Sequence, residues 1–348
     1  MDRTLIIRAD ATPDIGTGHL MRSLALALEW KNRGGNVVFA SVCTSPELAD
    51  RITRADMTLA TYPAIPDTAK ALDMTRALIR RHSAVWTILD GYHFSPDFPE
   101  GIKETGCALL MLDDYNHRPF YGPDILVNQN PCAPDLGYSC AEDTVTLFGP
   151  AYAFIREEFL KAAPKTDHPA RARRILVTMG GADTENVTGQ ILKALEHLSG
   201  DPLEIRVIIG PGFPAPETLE ALAPASGHSV EFIRNPADMA SQMAWADIGI
   251  SAAGSTCWEL AYMGLPSLLV TAAENQALNA AAFDKMGIFI SLGHYRELRP
   301  ENITGALQSL AENKVLRERM SARQQALMDG RGAARIIDRM TAMKGRSI

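Results

Sequence analysis

Basic charge is in short supply: 34 Lys and Arg stand against 41 Asp and Glu, a formal net charge of −7 over 348 residues. That balance gives no broad positive face for nucleic acid or an anionic membrane, so any recognition of anions has to be local. No apolar run approaches the roughly 18 residues that a membrane span needs. Met1-Asp2-Arg3-Thr4 leads into a strand rather than a signal peptide, so the reading is a cytoplasmic chain without a membrane span. Cysteine is sparse as well. The five, Cys43, Cys107, Cys132, Cys140 and Cys257, are odd in number and lack C-x-x-C spacing, which removes a disulfide framework and a zinc site and leaves reduced, structural thiols. A dinucleotide fold is excluded by two further absences. Gly16-x-Gly18 follows a strand and opens a helix, but the third glycine of G-x-G-x-x-G would fall at Met21. The next strand, residues 37–40, ends at Ser41 without a carboxylate for a ribose.

What remains is an ordinary globular composition, 46% hydrophobic and 22% charged, long enough for two domains. Its most informative stretch is the start. The apolar strand Leu5-Ile6-Ile7 runs through Arg8-Ala9-Asp10 into Ile15-Gly16-Thr17-Gly18-His19. A helix follows from Leu20 to about Arg33, with Leu20, Leu24, Ala27 and Leu28 on one face, and Gly34-Gly35 stops it. His19 thus sits at the helix's positive end, where unpaired N–H groups and roughly +0.5 of partial charge favour anions over imidazolium. Asp10, Gly16 and Gly18 read as a substrate-binding turn, with His19 as a neutral proton acceptor beside an anion site.

Strand-like runs at 37–40, 57–61, 85–89, 107–112 and 125–127 alternate with helical stretches, the pattern of a parallel sheet. The polar, proline-bearing segment 161–169 reads as a linker. The pattern restarts at 175–178 and continues through 205–209, 230–233, 248–251 and 267–270. The expected fold is therefore α/β, two doubly wound Rossmann-like domains, 1–168 and 169–348, facing a cleft at the C-terminal ends of their strands. The terminal helix, 333–343, is expected to pack back on the N-terminal domain.

In the second half, Met179-Gly180-Gly181-Ala182-Asp183-Thr184 and Ala252-Ala253-Gly254-Ser255-Thr256 each join a strand to a helix. Gly180, Gly181, Gly254, Ser255 and Thr256 supply free N–H groups and hydroxyls suited to a diphosphate. Against this stands a plain turn capped by Asp183 or Thr184. Glu259, on the helix face of Ser255, is placed to accept from ribose hydroxyls, unless Thr256-x-x-Glu259 is only a capping box. Asn275 and Gln276 carry amides able to read sugar hydroxyls or acetamido groups. In the first half, Asp90, Tyr92, Asp113 and Asp114 lie at strand ends. Tyr92 can donate to a sugar, Asp90 or Asp114 can orient His19, and Asp113-Asp114 has no third ligand at a useful spacing, so neither a metal nor a cofactor is expected.

These segments, with Arg22, Asn128-Gln129-Asn130 and Ile155-Arg156-Glu157-Glu158-Phe159, closely resemble the PseG family in order along nearly the whole chain. Those are UDP-2,4-diacetamido-2,4,6-trideoxy-β-L-altropyranose hydrolases of pseudaminic acid biosynthesis, which feeds surface glycans and flagellin glycosylation. The resemblance implies a GT-B-type fold, akin to the inverting transferase that builds lipid II, with uridine held by the C-terminal domain. It also implies metal-independent removal of UDP by water with inversion at the anomeric carbon, His19 as the base, and Tyr92 and Asn275 near the sugar. The substrate would be a small UDP-sugar, with no obligate protein partner and no fused second activity. The chain departs from the family's pattern at Gly91, where histidine is often found, with His93 two positions on. A GT-B glycosyltransferase, a hydrolase acting on another UDP- or CMP-linked deoxyamino sugar, and a binding-only nucleotide-sugar subunit stand as alternatives.

Overall fold

A computed structural model describes residues 3–12, 15–62, 68–181, 183–198, 200–220 and 227–344. The chain divides into two compact units, Met1–Phe154 with Arg331–Ile348, and Ile155–Gly330.

The first unit is built on a seven-stranded sheet, all parallel: β1 (Thr4–Ala9), β2 (Asn36–Ser41), β3 (Thr58–Thr61), β4 (Trp86–Asp90), β5 (Ala108–Leu112), β6 (Ile125–Asn128) and β7 (Val145–Phe148), in the order β3-β2-β1-β4-β5-β6-β7. The central strands are buried on both faces, which is why they read as near-continuous apolar runs. Successive residues serve opposite faces: Leu5 and Ile7 pack with Leu24, Phe39 and Trp86, while Ile6 packs with Val38, Leu89 and Phe98. β7, half-exposed at the edge, carries too weak an apolar pattern to announce itself.

The first helix, α1 (Gly18–Asn32), buries Leu20, Leu24 and Ala27 against this sheet. The terminal helix Gly332–Lys344 belongs to this unit too, adding Ile336, Ile337 and Met340 to the same core. Arg33 ties the pair, donating to Asp338 at 2.5 Å and to the Ala334 carbonyl at 3.1 Å. Gly332 allows the join, since a Cβ there would lie 2.1 Å from the Ala153 carbonyl oxygen.

The second unit has a six-stranded parallel sheet: β8 (Arg174–Thr178), β9 (Glu204–Ile209), β10 (Ser229–Arg234), β11 (Ile248–Ala252), β12 (Ser267–Thr271) and β13 (Ile290–His294), in the order β10-β9-β8-β11-β12-β13. Its core gathers Ile175, Val177, Val207, Ile250 and Leu268 with Ile191 and Leu195 from the helix Val187–Leu195.

The division falls at Phe154/Ile155, not near Pro169. The segment expected as a linker is packed onto the second unit: the Lys165 amide donates to the Met263 carbonyl at 2.8 Å, its ammonium reaches Asp247 at 3.2 Å, and His168 is buried. In both sheets the order reverses once, between β1 and β4 and between β8 and β11. Open α/β sheets bind ligands at such switch points, beyond the carboxyl ends of the strands.

Candidate functional site

At the switch point of the first sheet, Ala9 of β1 is the register partner of Asp90, the last residue of β4. The turn after β1 bends through Gly16 at φ +78° and opens into α1 without a side-chain cap from Thr17. His19 therefore stands in the first turn of α1, directly over the end of β4. Its Nδ1 lies 2.7 Å from Asp90 Oδ1. A carboxylate only accepts, so Nδ1, which also has Arg22 Nη2 at 3.3 Å, carries a proton toward Asp90; in the neutral ring Nε2 then keeps its lone pair. This places Asp90, not Asp114, behind His19.

Asp90 is fully buried and also accepts from Arg22 Nε at 2.7 Å, Arg22 Nη2 at 2.5 Å and Ser23 Oγ at 3.1 Å. Burial alone would raise its pKa, but the adjacent Arg22 and His19 hold it well below the usual carboxylate range. Arg22 also grips Asp114 through Nη1 at 2.8 and 2.6 Å, and Asp114 in turn accepts from the Tyr92 hydroxyl. Burial and the neighbouring Asp114 push the Tyr92 pKa far up, so its hydroxyl stays protonated and donating. The Tyr92 ring meets His19 edge-on at 4.9 Å and Tyr115 at 4.8 Å. Arg22, one turn along α1 from His19, is the hub of this cluster. Reading the sequence assigned it no role, although the i, i+3 spacing was a usable signal.

Asp113 does separate work from Asp114. It accepts from the Tyr115 amide at 2.9 Å, the Asn116 amide at 2.6 Å, Tyr121 at 2.8 Å, Tyr138 at 2.6 Å and His117. It thereby pins the loop that carries Tyr115. Asp10, expected to touch substrate, is fully buried. Its oxygens take Arg8 (Nη2 at 2.9 Å), the Val42 amide at 2.7 Å and His93 Nε2 at 2.8 Å. A buried carboxylate needs such partners, so Asp10 frames the site rather than facing ligand. Gly18 opens onto free space: nothing lies within 4 Å of a Cβ placed there.

At the switch point of the second sheet the chemistry is different. After β8, Gly180 adopts φ +84°, and a Cβ on it would meet nothing within 4 Å. The donors of the following helix are taken, because Asp183 accepts from the Val187 and Thr188 amides at 2.8 Å each and Asn186 from Gly189 at 3.0 Å. The capped-turn reading thus holds for that helix end, and among the described residues of this loop the Gly180-Gly181 backbone is left to face a ligand. Holding it is a loop that sequence reasoning missed, Gly210-Pro211-Gly212 after β9. The Gly212 amide donates to the Gly181 carbonyl at 2.8 Å, and a Cβ on Gly210 would lie 2.3 Å from the Gly180 oxygen. Two glycines after a strand were the available signal.

After β11, the helix Thr256–Met263 begins with no side-chain cap, and Ser255 is exposed at its mouth. This is the open donor set of the second unit. Gln276 joins it: its Oε1 accepts from the Ala272 amide at 2.9 Å, and its Nε2 would lie 3.6 Å from a Cβ placed on Gly254. Asn275 lies in the 3-10 turn Glu274–Gln276, and its side chain falls outside the described residues. Glu259 is neither free nor part of a capping box. It is buried, and both its oxygens accept from Arg156, Nη2 at 2.9 Å. Burial raises the Glu259 pKa against the pull of Arg156. A ribose would have to share this carboxylate with that guanidinium.

Residues 174–339 match the glycosyltransferase family 28 C-terminal domain. The UDP-2,4-diacetamido-2,4,6-trideoxy-β-L-altropyranose hydrolase of Campylobacter jejuni is 30% identical over 197 residues, 55% of this chain and 65% of that protein. The spore coat polysaccharide biosynthesis protein SpsG of Bacillus subtilis is 24% identical over 67% of this chain and 69% of its own. The chain spans only part of the curated relatives it matches, 55% and 65% of the length of two of them. Among solved structures, MurG of Acinetobacter baumannii superposes with a TM-score of 0.72 at 17% identity, covering 98% of this chain and 100% of that one. The fold is that of the GT-B glycosyltransferases, the class expected from the paired α/β pattern and the resemblance. Among the described residues no helix is long and apolar enough to cross a membrane.

Proposed function

We propose that this protein hydrolyses a UDP-linked diacetamido deoxysugar, releasing UDP, with His19 as the general base. The observation that carries the reading is the His19–Asp90 pair at the first switch point. Asp90 fixes the tautomer, and Nε2 is left with a lone pair to take a proton from water. Arg22 answers only one of the two carboxylates it bridges, Asp90 and Asp114, so a negative charge remains to stabilise the cation forming on His19. The water oxygen bonds to the anomeric carbon with inversion, the bond from that carbon to the diphosphate oxygen breaks, and UDP leaves with the electron pair. Tyr92 and Gly18 serve the sugar. Gly254, Ser255, Thr256 and the Gly180-Gly181 backbone serve the diphosphate, doing with N–H donors what a metal does elsewhere, and Gln276 and Asn275 stand beside them.

The 30% identical relative named as such a hydrolase supports the substrate, and a 26% identical relative of Helicobacter pylori, named both as a pseudaminic acid cytidylyltransferase and as this hydrolase, supports a place in pseudaminic acid chemistry. A second reading, transfer of the sugar to an acceptor, is favoured by the match to the glycosyltransferase family 28 domain. UDP release from UDP-2,4-diacetamido-2,4,6-trideoxy-β-L-altropyranose in ¹⁸O-water, with EDTA and no acceptor, separates them. Hydrolysis by this route puts label in the free sugar and none in UDP. Intact substrate, turned over only when an acceptor is added, establishes transfer instead.

A further inference from the structure

A second histidine–carboxylate pair crosses the first. His19, following β1, donates to Asp90 at the end of β4. His93, following β4, donates from Nε2 to Asp10 just past the end of β1, at 2.8 Å. Asp10 is an acceptor held in place by Arg8 and the Val42 amide, so Nε2 of His93 carries a proton, and in the neutral ring the lone pair is on Nδ1. The ring is fixed on its face as well, lying against Phe94 with centroids 4.1 Å apart. It nevertheless remains 27% exposed.

The edge that carries Nδ1 is open for a specific reason. Gly91 has φ +150°, and a Cβ on it would lie 2.9 Å from His93 Cε1 and 3.1 Å from Nδ1. Any side chain at position 91 would cover this edge or displace the ring. Among the described residues nothing donates to Nδ1. A locked imidazole with one nitrogen anchored to a buried carboxylate, at the switch point where Ala9 and Asp90 are register partners, holds its other nitrogen as a preorganised acceptor.

We propose that His93 is a substrate-binding residue, its Nδ1 accepting a hydrogen bond from an N–H or O–H on the sugar ring and so selecting among sugar substituents. This rests on the nucleotide-sugar reading above. Glutamine and asparagine divide the two nitrogens between them: His93→Gln keeps a donor for Asp10 without an acceptor at the Nδ1 position, and His93→Asn keeps an acceptor near Nδ1 without the anchor. Steady-state hydrolysis of the diacetamido UDP-sugar, with UDP product inhibition and thermal melting measured alongside, tests the assignment. His93→Gln should raise KM about tenfold, the worth of one neutral hydrogen bond, with kcat within about twofold and the UDP inhibition constant unchanged. His93→Asn should retain most of the wild-type KM, and Gly91→Ala should raise KM as Gln does. Wild-type KM in His93→Gln overturns the proposal, as does loss of kcat at unchanged KM in both His93 variants, the mark of a merely structural role. If the wild type binds UDP but turns over no nucleotide sugar, the functional reading falls and this assignment with it. Normal wild-type turnover beside an unaffected His93→Gln overturns this assignment alone.

Discussion

The two sheets reverse order at equivalent places yet furnish them with opposite chemistry. Beyond β1 and β4 stand ionisable side chains locked to one another: His19, Arg22, Asp90, Asp114 and Tyr92. Beyond β8 and β11 stand glycines, backbone amides and hydroxyls, with the nearby carboxylates Asp183 and Glu259 already spoken for by helix amides and Arg156. A proton-transfer site needs groups with fixed protonation states, which charged neighbours in a buried cluster provide. A diphosphate site needs donors without competing acceptors, which backbone provides best. On the proposed function the same topology separates catalysis from nucleotide recognition, and mutations in the two units should show up in different constants.

His19→Ala should lower kcat by roughly 10²–10⁴, the usual worth of a positioned base, while UDP affinity stays near wild type. Single-turnover UDP release gives the first quantity and calorimetry the second. Asp90→Asn should cost about 10² or more in kcat, because an amide does not fix the tautomer that leaves Nε2 free; a change confined to KM would show that Asp90 does not serve His19. Gly210→Ala should act the other way. Its methyl would press the Gly180-Gly181 carbonyls, and UDP affinity should drop about tenfold while kcat at saturation holds, roughly one lost charge-assisted hydrogen bond.

The smallest effect is on acid stability. At Asp10 burial works to raise the pKa, but hydrogen bonds from His93 and Arg8 outweigh it and hold the group at about 2 against 3.8. A folded pKa below the unfolded one stabilises the fold above the unfolded value, and the contribution is lost as pH falls from about 4 toward 2. Asp10→Asn should flatten that part of a melting-temperature profile. An unchanged acid limb would mean that Asp10 does not contribute there.

How much of this was legible in the sequence depends on separation along the chain. The turn leading to His19 is local, written in an apolar strand, two glycines and a helix period. The acid behind it is not, for Asp90 is 71 residues away and meets His19 only through the parallel register of β1 on β4. Arg156 and Glu259, 103 residues apart, are joined in the same non-local way, so a buried carboxylate on a helix looked free. Asp10 read as a substrate-binding residue because its burial with Arg8 is a tertiary fact. The polar, proline-bearing composition of 161–169 foretold exposure, yet composition does not record where the backbone donors of such a segment find partners. The Gly210 loop was missed for a similar reason, since its glycine answers a carbonyl of another strand's loop rather than a turn of its own.

The division of labour between the two units is tested most directly by titrating UDP into His19→Ala and Gly210→Ala side by side and measuring turnover of each at saturating UDP-sugar. The account predicts that His19→Ala binds UDP like the wild type and barely turns over, whereas Gly210→Ala binds UDP weakly and turns over normally once saturated. Full turnover by His19→Ala, or loss of UDP binding in it equal to that of Gly210→Ala, would contradict it.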